Sequence, residues 1–169
     1  MKVTARDEIA AAAQAIAAAA AKKKRTLAGF GEGSPAFRLL NGATLCLFDA
    51  RNQSIADCAP WLEQEGVTVW HSTPSVFRAF TAALETRLPS IRLVVMGGEA
   101  VSRADFETFR QRFEPGTLFV TGLGPTESTV TLQFFADHQS DLHRHSMPVG
   151  YPVDGTMIEL LDESGVPTD

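Results

Sequence analysis

The sequence predicts an α/β fold: a largely parallel sheet with flanking helices. Three observations lead there. Short apolar runs of strand length recur at residues 44–48, 67–71, 91–96 and 118–120. Stretches with helical apolar spacing separate them, each about ten residues long. Capping signals open those stretches. Strand, helix and strand repeated in this way imply right-handed crossovers, and therefore parallel pairing.

Residues 1–35 stand apart from the rest. Asp7 and Glu8 precede an alanine-rich stretch that ends in Lys22, Lys23, Lys24 and Arg25. Acid first and base last complement a helix dipole, and alanine has the best helix propensity, so a helix is expected from about Ala5 to Lys24. Its large apolar residues, Ile9 and Ile16, form a thin stripe suited to weak docking or to close packing against a partner. Gly29, Gly31, Gly33 and Pro35 then predict a flexible joint.

Residues 44–48 are the first expected strand. Ser54 and Asp57 have the spacing of a capping box, with Ile55, Ala59 and Leu62 behind them at helical spacing. Gly66 stops that helix before strand 67–71. Thr73 then offers an N-cap with Pro74 at the first helical position, and Val76, Phe77, Phe80 and Leu84 make one apolar face. After strand 91–96, Ser102 and Asp105 repeat the capping-box spacing ahead of Phe106, Phe109 and Phe113. Beyond strand 118–120, residues 130–135 and 157–161 read as strands with no helix between them, and 137–146 as a polar loop.

A chain of 169 residues is long enough to bury one core. Its 44% hydrophobic and 21% charged content is ordinary for a globular protein in water. A net charge of −5 argues against a general nucleic-acid binder, and the basic run at 22–25 is too short to reverse that. Cys46 and Cys58 have no metal or redox spacing and read as thiols in a reducing cytoplasm. No apolar run approaches the roughly 20 residues that span a bilayer. Residues 9–21 are apolar only through alanine and lack the features of a secretory leader. A cytoplasmic protein without membrane or nucleic-acid partners is expected.

Gly122, Leu123, Gly124, Pro125, Thr126 and Glu127 come directly after the apolar run 117–121. That places a loop at the carboxyl end of a strand, where open α/β sheets bind their ligands. Glycine lets backbone N–H groups approach a phosphate, Thr126 can bond a phosphate oxygen, and Glu127 can hold Mg²⁺. The same residues suit a tight turn whose threonine and glutamate cap the next segment of chain.

The stretch Gly-Leu-Gly-Pro-Thr-Glu-Ser-Thr at 122–129 resembles the Tyr-Gly-Pro-Thr-Glu signature of adenylate-forming enzymes, specifically the adenylation domains of nonribosomal peptide synthetases. Four further stretches resemble segments of that family: 39–45 (Leu-Leu-Asn-Gly-Ala-Thr-Leu), 67–75 (Val-Thr-Val-Trp-His-Ser-Thr-Pro-Ser), 93–100 (Leu-Val-Val-Met-Gly-Gly-Glu-Ala) and 147–153 (Met-Pro-Val-Gly-Tyr-Pro-Val). All five agree in order and spacing. The resemblance divides the chain into an unrelated head, 1–35, and a partial AMP-binding domain, 36–169, from the large N-terminal subdomain of such an enzyme. Pro125 favours peptide synthetases over acyl-CoA synthetases and luciferases.

The resemblance implies an activity. ATP and an amino or other carboxylic acid form an acyl-adenylate, which the phosphopantetheine thiol of a peptidyl carrier domain captures. Thr126 would bind the α-phosphate and Glu127 the Mg²⁺, as the catalytic pair. Gly97, Gly98, Glu99, Leu123, Gly124, Pro125 and Thr126 would surround the nucleotide. Leu123 stands where the family usually has an adenine-stacking tyrosine, and Thr121 where asparagine is usual. The acyl pocket carries over to His71, Val94, Met96, Gly122, Val130 and Thr131. Core packing explains Val94, Met96 and Val130 equally well, and a lone His71 on an apolar strand suits a satisfied core histidine. His138, His143 and His145, with Asp137 and Asp141, read as a solvated loop because their spacing fits no common metal site.

The family's lysine-bearing phosphate loop, its ribose-binding aspartate and its catalytic lysine have no counterpart in the sequence. The aspartate that anchors a substrate amino group is expected near 27–35, where only Glu32 stands. The expectation is a fragment that is inactive alone, with exposed apolar patches and a tendency to self-associate. A fragment of an acyl- or aryl-CoA ligase, or a non-catalytic α/β binding module, are the alternatives.

Overall fold

The computed structural model describes residues 25–29, 43–49, 52–125 and 130–168. Within them seven strands form one sheet in the order β2-β1-β3-β4-β5-β6-β7. The strands are β1 (Arg25–Gly29), β2 (Ala43–Cys46), β3 (Val67–Ser72), β4 (Leu93–Gly97), β5 (Leu118–Leu123), β6 (Leu132–Ala136) and β7 (Tyr151–Pro152). The helices are α1 (Cys58–Gln64), α2 (Pro74–Ala83) and α3 (Arg103–Arg112). Pairing from β2 through β5 is parallel, while β6 and β7 add antiparallel. The largely parallel sheet expected from the sequence is therefore present, with an antiparallel margin after β5.

Local signals explain most boundaries. The Thr73 hydroxyl accepts from the Val76 N–H, and Pro74 comes next, so α2 starts there. Ser102 and Asp105 close a reciprocal capping box on α3. Gly66 turns the chain at φ 60° between α1 and β3, a conformation that favours glycine. At the other predicted box, the Ser54 hydroxyl accepts from the Ala56 N–H but Asp57 returns no side-chain bond. A 3₁₀ turn (Ile55–Asp57) precedes α1 as a result.

Two local expectations change. Strand β1 lies inside the head expected to be helix and joint, because β2 and β3 pair its backbone on both sides. Pairing on two edges overrides a weak local preference. The predicted helix 5–24, the joint at 30–35 and the 35/36 boundary lie outside the described residues. Residues 157–161 form no strand of the sheet. Their one bridge joins Leu161 to Pro167 across a short turn, in which the Asp162 carboxylate accepts from the Ser164 and Val166 N–H groups. Apolar character alone does not make a strand when no neighbouring strand runs alongside.

Register assigns the sheet faces. Trp70, Val94 and Phe119 lie in one row, and Ser72, Met96 and Thr121 in the next. Successive strand residues point oppositely, so His71, Val95, Val120 and Gly122 belong to the other face. On the first face Trp70, Phe77, Phe80, Phe106, Phe109, Phe113 and Phe119 are almost fully buried. Their rings meet in stacked, tilted and edge geometries, with Trp70 and Phe80 4.4 Å apart and Phe109 and Phe119 4.9 Å apart. Burial of such a side chain stabilises by about 1.5–3 kcal/mol. This core anchors the strand ends on which the candidate site is built. No helix among the described residues is long and apolar enough to cross a membrane.

Candidate functional site

Strands β4 and β5 run side by side and end together, with Gly97 paired to Gly122. A Cβ on Gly97 would stand 3.2 Å from the Gly122 carbonyl oxygen, so a side chain there would push the strands apart. Gly98 turns at φ 81° to leave β4. The two chain ends open into a cleft of about 470 Å³. Its walls are the loop 98–101, the end of β5 at 121–124, and a third segment, 146–149. A volume of that size falls in the range of small-molecule sites, about 300–1,000 Å³.

Hydrogen bonds hold the third wall to the other two. The Met147 N–H donates to the Val101 carbonyl at 2.9 Å, and the Arg103 N–H to the His145 carbonyl at 2.8 Å. The Thr121 hydroxyl donates to the Pro148 carbonyl at 3.0 Å. Residues 147–153 are legible in the sequence only as part of a resemblance. Their place as a cleft wall depends on these non-local bonds, which no spacing in the sequence signals.

Of the residues expected around a nucleotide, Gly98, Glu99, Leu123 and Gly124 line the cleft together. Leu123 is 48% exposed on its surface, and Pro125 is exposed beyond it. Gly97 lies beneath, against Gly122. Thr126 and Glu127 lie outside the described residues.

Glu99 is engaged within the protein: its carboxylate accepts from the Ser75 hydroxyl at 2.6 Å and from the Ser75 N–H at 3.2 Å. The Ser75 hydroxyl bond is the main reason its carboxyl is held below the usual value. A carboxylate at the first turn of α2 also suits the helix dipole.

The residues carried over to an acyl pocket do not converge. Val94 and Met96 are fully buried in the helix-side core, where the Ser72 hydroxyl lies 3.9 Å from the Met96 sulfur. Met96 pairs beside Thr121 and so sits next to the cleft floor. His71 and Gly122 are on the opposite face. A Cβ on Gly122 would lie 3.5 Å from the Val130 methyl groups, so glycine leaves room there. Thr131 donates its hydroxyl to the Leu123 carbonyl at 3.0 Å and fixes the chain where it returns beside β5.

His138 and Asp137 in the loop 137–146 have structural partners. The His138 Nε2 lies 3.2 Å from the Phe113 carbonyl, and its ring packs on Phe109. Burial pushes the Asp137 carboxyl up, but bonds from Ser140 and Gln139 outweigh it and leave the group below its ordinary value. Among the described residues no group of three His, Cys, Asp or Glu is placed to hold a metal ion. Burial pushes the Cys58 thiol up to about 12, which removes it as a nucleophile.

A family model for the AMP-binding enzyme matches residues 30–169. The chain belongs to the AMP-binding enzyme family. It is 30% identical over 121 residues to the L-proline--[L-prolyl-carrier protein] ligase of Streptomyces coelicolor, covering 69% of this chain and 23% of that protein. Against surfactin synthase subunit 1 of Bacillus subtilis it is 29% identical over 130 residues, 75% of this chain and 4% of the relative. Among solved structures, holo-PA1221, an NRPS protein containing adenylation and PCP domains, superimposes with a TM-score of 0.69 at 25% identity. That match covers 87% of this chain and 26% of PA1221. The synthetase FmoA3 superimposes at 0.74 with 22% identity, covering 94% of this chain and 18% of its own, and shows the fold alone. The chain therefore spans under a quarter of the length of these curated relatives.

Proposed function

We propose that the chain is the cleft-bearing part of an AMP-forming ligase. The ligase activates an amino or other carboxylic acid as its adenylate and passes it to the phosphopantetheine thiol of a peptidyl carrier domain. One observation carries this reading: both glycine loops of the family match, 97–99 and 122–124, open into the same cleft at the carboxyl ends of β4 and β5. Ligands of open α/β sheets bind at that end.

In this reading the base lies between the loop 98–101 and Leu123, with 146–149 closing the third side. The triphosphate runs toward Thr126, whose hydroxyl donates to an α-phosphate oxygen. The acid is already a carboxylate, so its oxygen attacks the α-phosphorus directly and pyrophosphate leaves with the electron pair of the broken P–O bond. Such a step depends on charge stabilisation more than on proton transfer. Magnesium would supply part of that stabilisation, and Glu127 would hold it. Gly122 leaves space beside Val130 and Thr131 for part of the acid, with His71 on the same face, while Met96, beside Thr121, borders the cleft floor from the core side.

Titration calorimetry with ATP and Mg²⁺ tests the reading. Saturable binding is expected, weakened about tenfold by Thr126→Ala, a loss typical of a hydrogen bond to a charged group. Leu123→Tyr should tighten it, because base–aromatic stacking is worth roughly 1–3 kcal/mol. Absence of heat at millimolar ATP would remove the nucleotide role.

A further inference from the structure

The loop that forms the first wall of the cleft is gripped at both ends by one helix. Near its start, the Glu99 carboxylate takes two hydrogen bonds from Ser75, in the first turn of α2. At its far end, Ser102 donates its N–H and its hydroxyl to Asp105 at 2.8 and 2.7 Å. Asp105 in turn receives a two-pronged pair from Arg78, Nε to Oδ1 at 2.7 Å and Nη2 to Oδ2 at 2.9 Å. Ser75 and Arg78 are three residues apart, and so lie on neighbouring positions of one face of α2. The third wall hangs from the same loop, through Met147 on Val101 and His145 on Arg103. Two of the three walls thus depend on where α2 holds residues 98–102.

We propose that Ser75 and Arg78 are positioning residues of the cleft, Ser75 acting through Glu99 and Arg78 through Asp105, and that Glu99 is a tether and not a ligand of the bound molecule. The proposal rests on the nucleotide reading only for what the cleft holds. Each carboxylate is spent inside the protein. Ser75 is exposed and Thr73 keeps its own capping bond, so Ser75→Ala removes the shorter, hydroxyl bond to Glu99 and leaves the N-cap of the helix and the Ser75 N–H bond in place.

Residue-resolved hydrogen exchange on the full chain tests it. With Ser75→Ala, the amides of Arg103 and Met147, which bond across the two walls, should exchange about tenfold faster through easier local opening. Val95 and Val120 in the strands should keep their rates. Glu99→Gln should give the same pattern, and the double variant no further increase, because both substitutions weaken the same Ser75–Glu99 contact. Ser75→Thr, which retains the hydroxyl, should restore the wild-type rates. Arg78→Lys, which loses the two-pronged geometry, should speed Arg103.

Unchanged exchange at Arg103 and Met147 in Ser75→Ala, or additive effects in the double variant, would overturn the proposal. ATP titration of the same variants supplies the second arm. Equal weakening by Ser75→Ala and Glu99→Gln supports a tether, whereas a loss confined to Glu99→Gln makes Glu99 a direct ligand and overturns it. If the wild type takes up no ATP, the nucleotide reading fails while the exchange pattern still decides the tether.

Discussion

Phe106, Phe109, Phe113 and Phe119 are shut between α3 and the sheet, whereas Met157, Leu160, Leu161 and Val166 are 94%, 60%, 54% and 55% exposed. The two regions are alike in apolar character and opposite in fate. Around α3 the phenylalanines meet a second layer: helix against sheet, with ring against ring at 4.9 to 5.7 Å in the Phe106, Phe109 and Phe119 cluster. After β7 the chain forms a turn at 154–155, a second around Asp162 and one bridge, and the described residues provide no layer opposite it. Hydrophobicity supplies the tendency to bury; a facing element is needed to realise it.

The contrast can be broken at several points. Phe109→Ala should cost the most, about 3–5 kcal/mol, because it empties a site touched by Phe106, Phe113, Phe119 and His138. Urea denaturation would measure it, and a loss below that of an exposed leucine would contradict the layered core.

Gly150→Ala comes next, at about 2–3 kcal/mol. The residue sits at φ 92°, and a Cβ there would collide with the Gln133 carbonyl. Since Gly150 directly succeeds the third wall of the cleft, ligand affinity should fall along with thermal stability.

Asp105→Asn should cost about 1–2 kcal/mol, the scale of a lost cap, and that cost should depend on pH. Burial pushes the Asp105 carboxyl up, but the Arg78 hydrogen bond and the Ser102 bonds outweigh it, so the folded value lies below the ordinary one. A lowered folded value means that the stabilisation is complete above the ordinary aspartate pKa of about 3.9 and fades as pH falls through the folded value. The difference between wild type and variant should therefore shrink in acid. A constant difference would place the effect elsewhere than on the charge.

Leu160→Ser should change stability least, within about 0.5 kcal/mol, as at other exposed positions. A large destabilisation would show that the C-terminal stretch is covered in solution, and would bring the two regions closer together than the structure has them.

Much of the fold was legible because its signals are local. Thr73 with Pro74, Ser102 with Asp105, and Gly66 each act through the backbone groups of their own turn, and each stands where the spacing placed it. The glycines of the candidate site were legible for a similar reason, as breaks directly after apolar runs. Strand β1 was not, since its partners arrive from residues 43–46 and 67–71. The role of Glu99 was not either, because its partner Ser75 is 24 residues away.

What the sequence determined alone was the alternation of strand and helix, the capped starts of α2 and α3, and the glycine-rich ends of β4 and β5. All of these arise from short-range sterics and hydrogen bonding. Tertiary structure decided which apolar residues are buried, how segment 146–149 joins the cleft, and that Val94 and Met96 face the phenylalanines while His71 and Gly122 face away. Those outcomes depend on contacts between distant segments and on strand register, which exist only once the sheet has assembled.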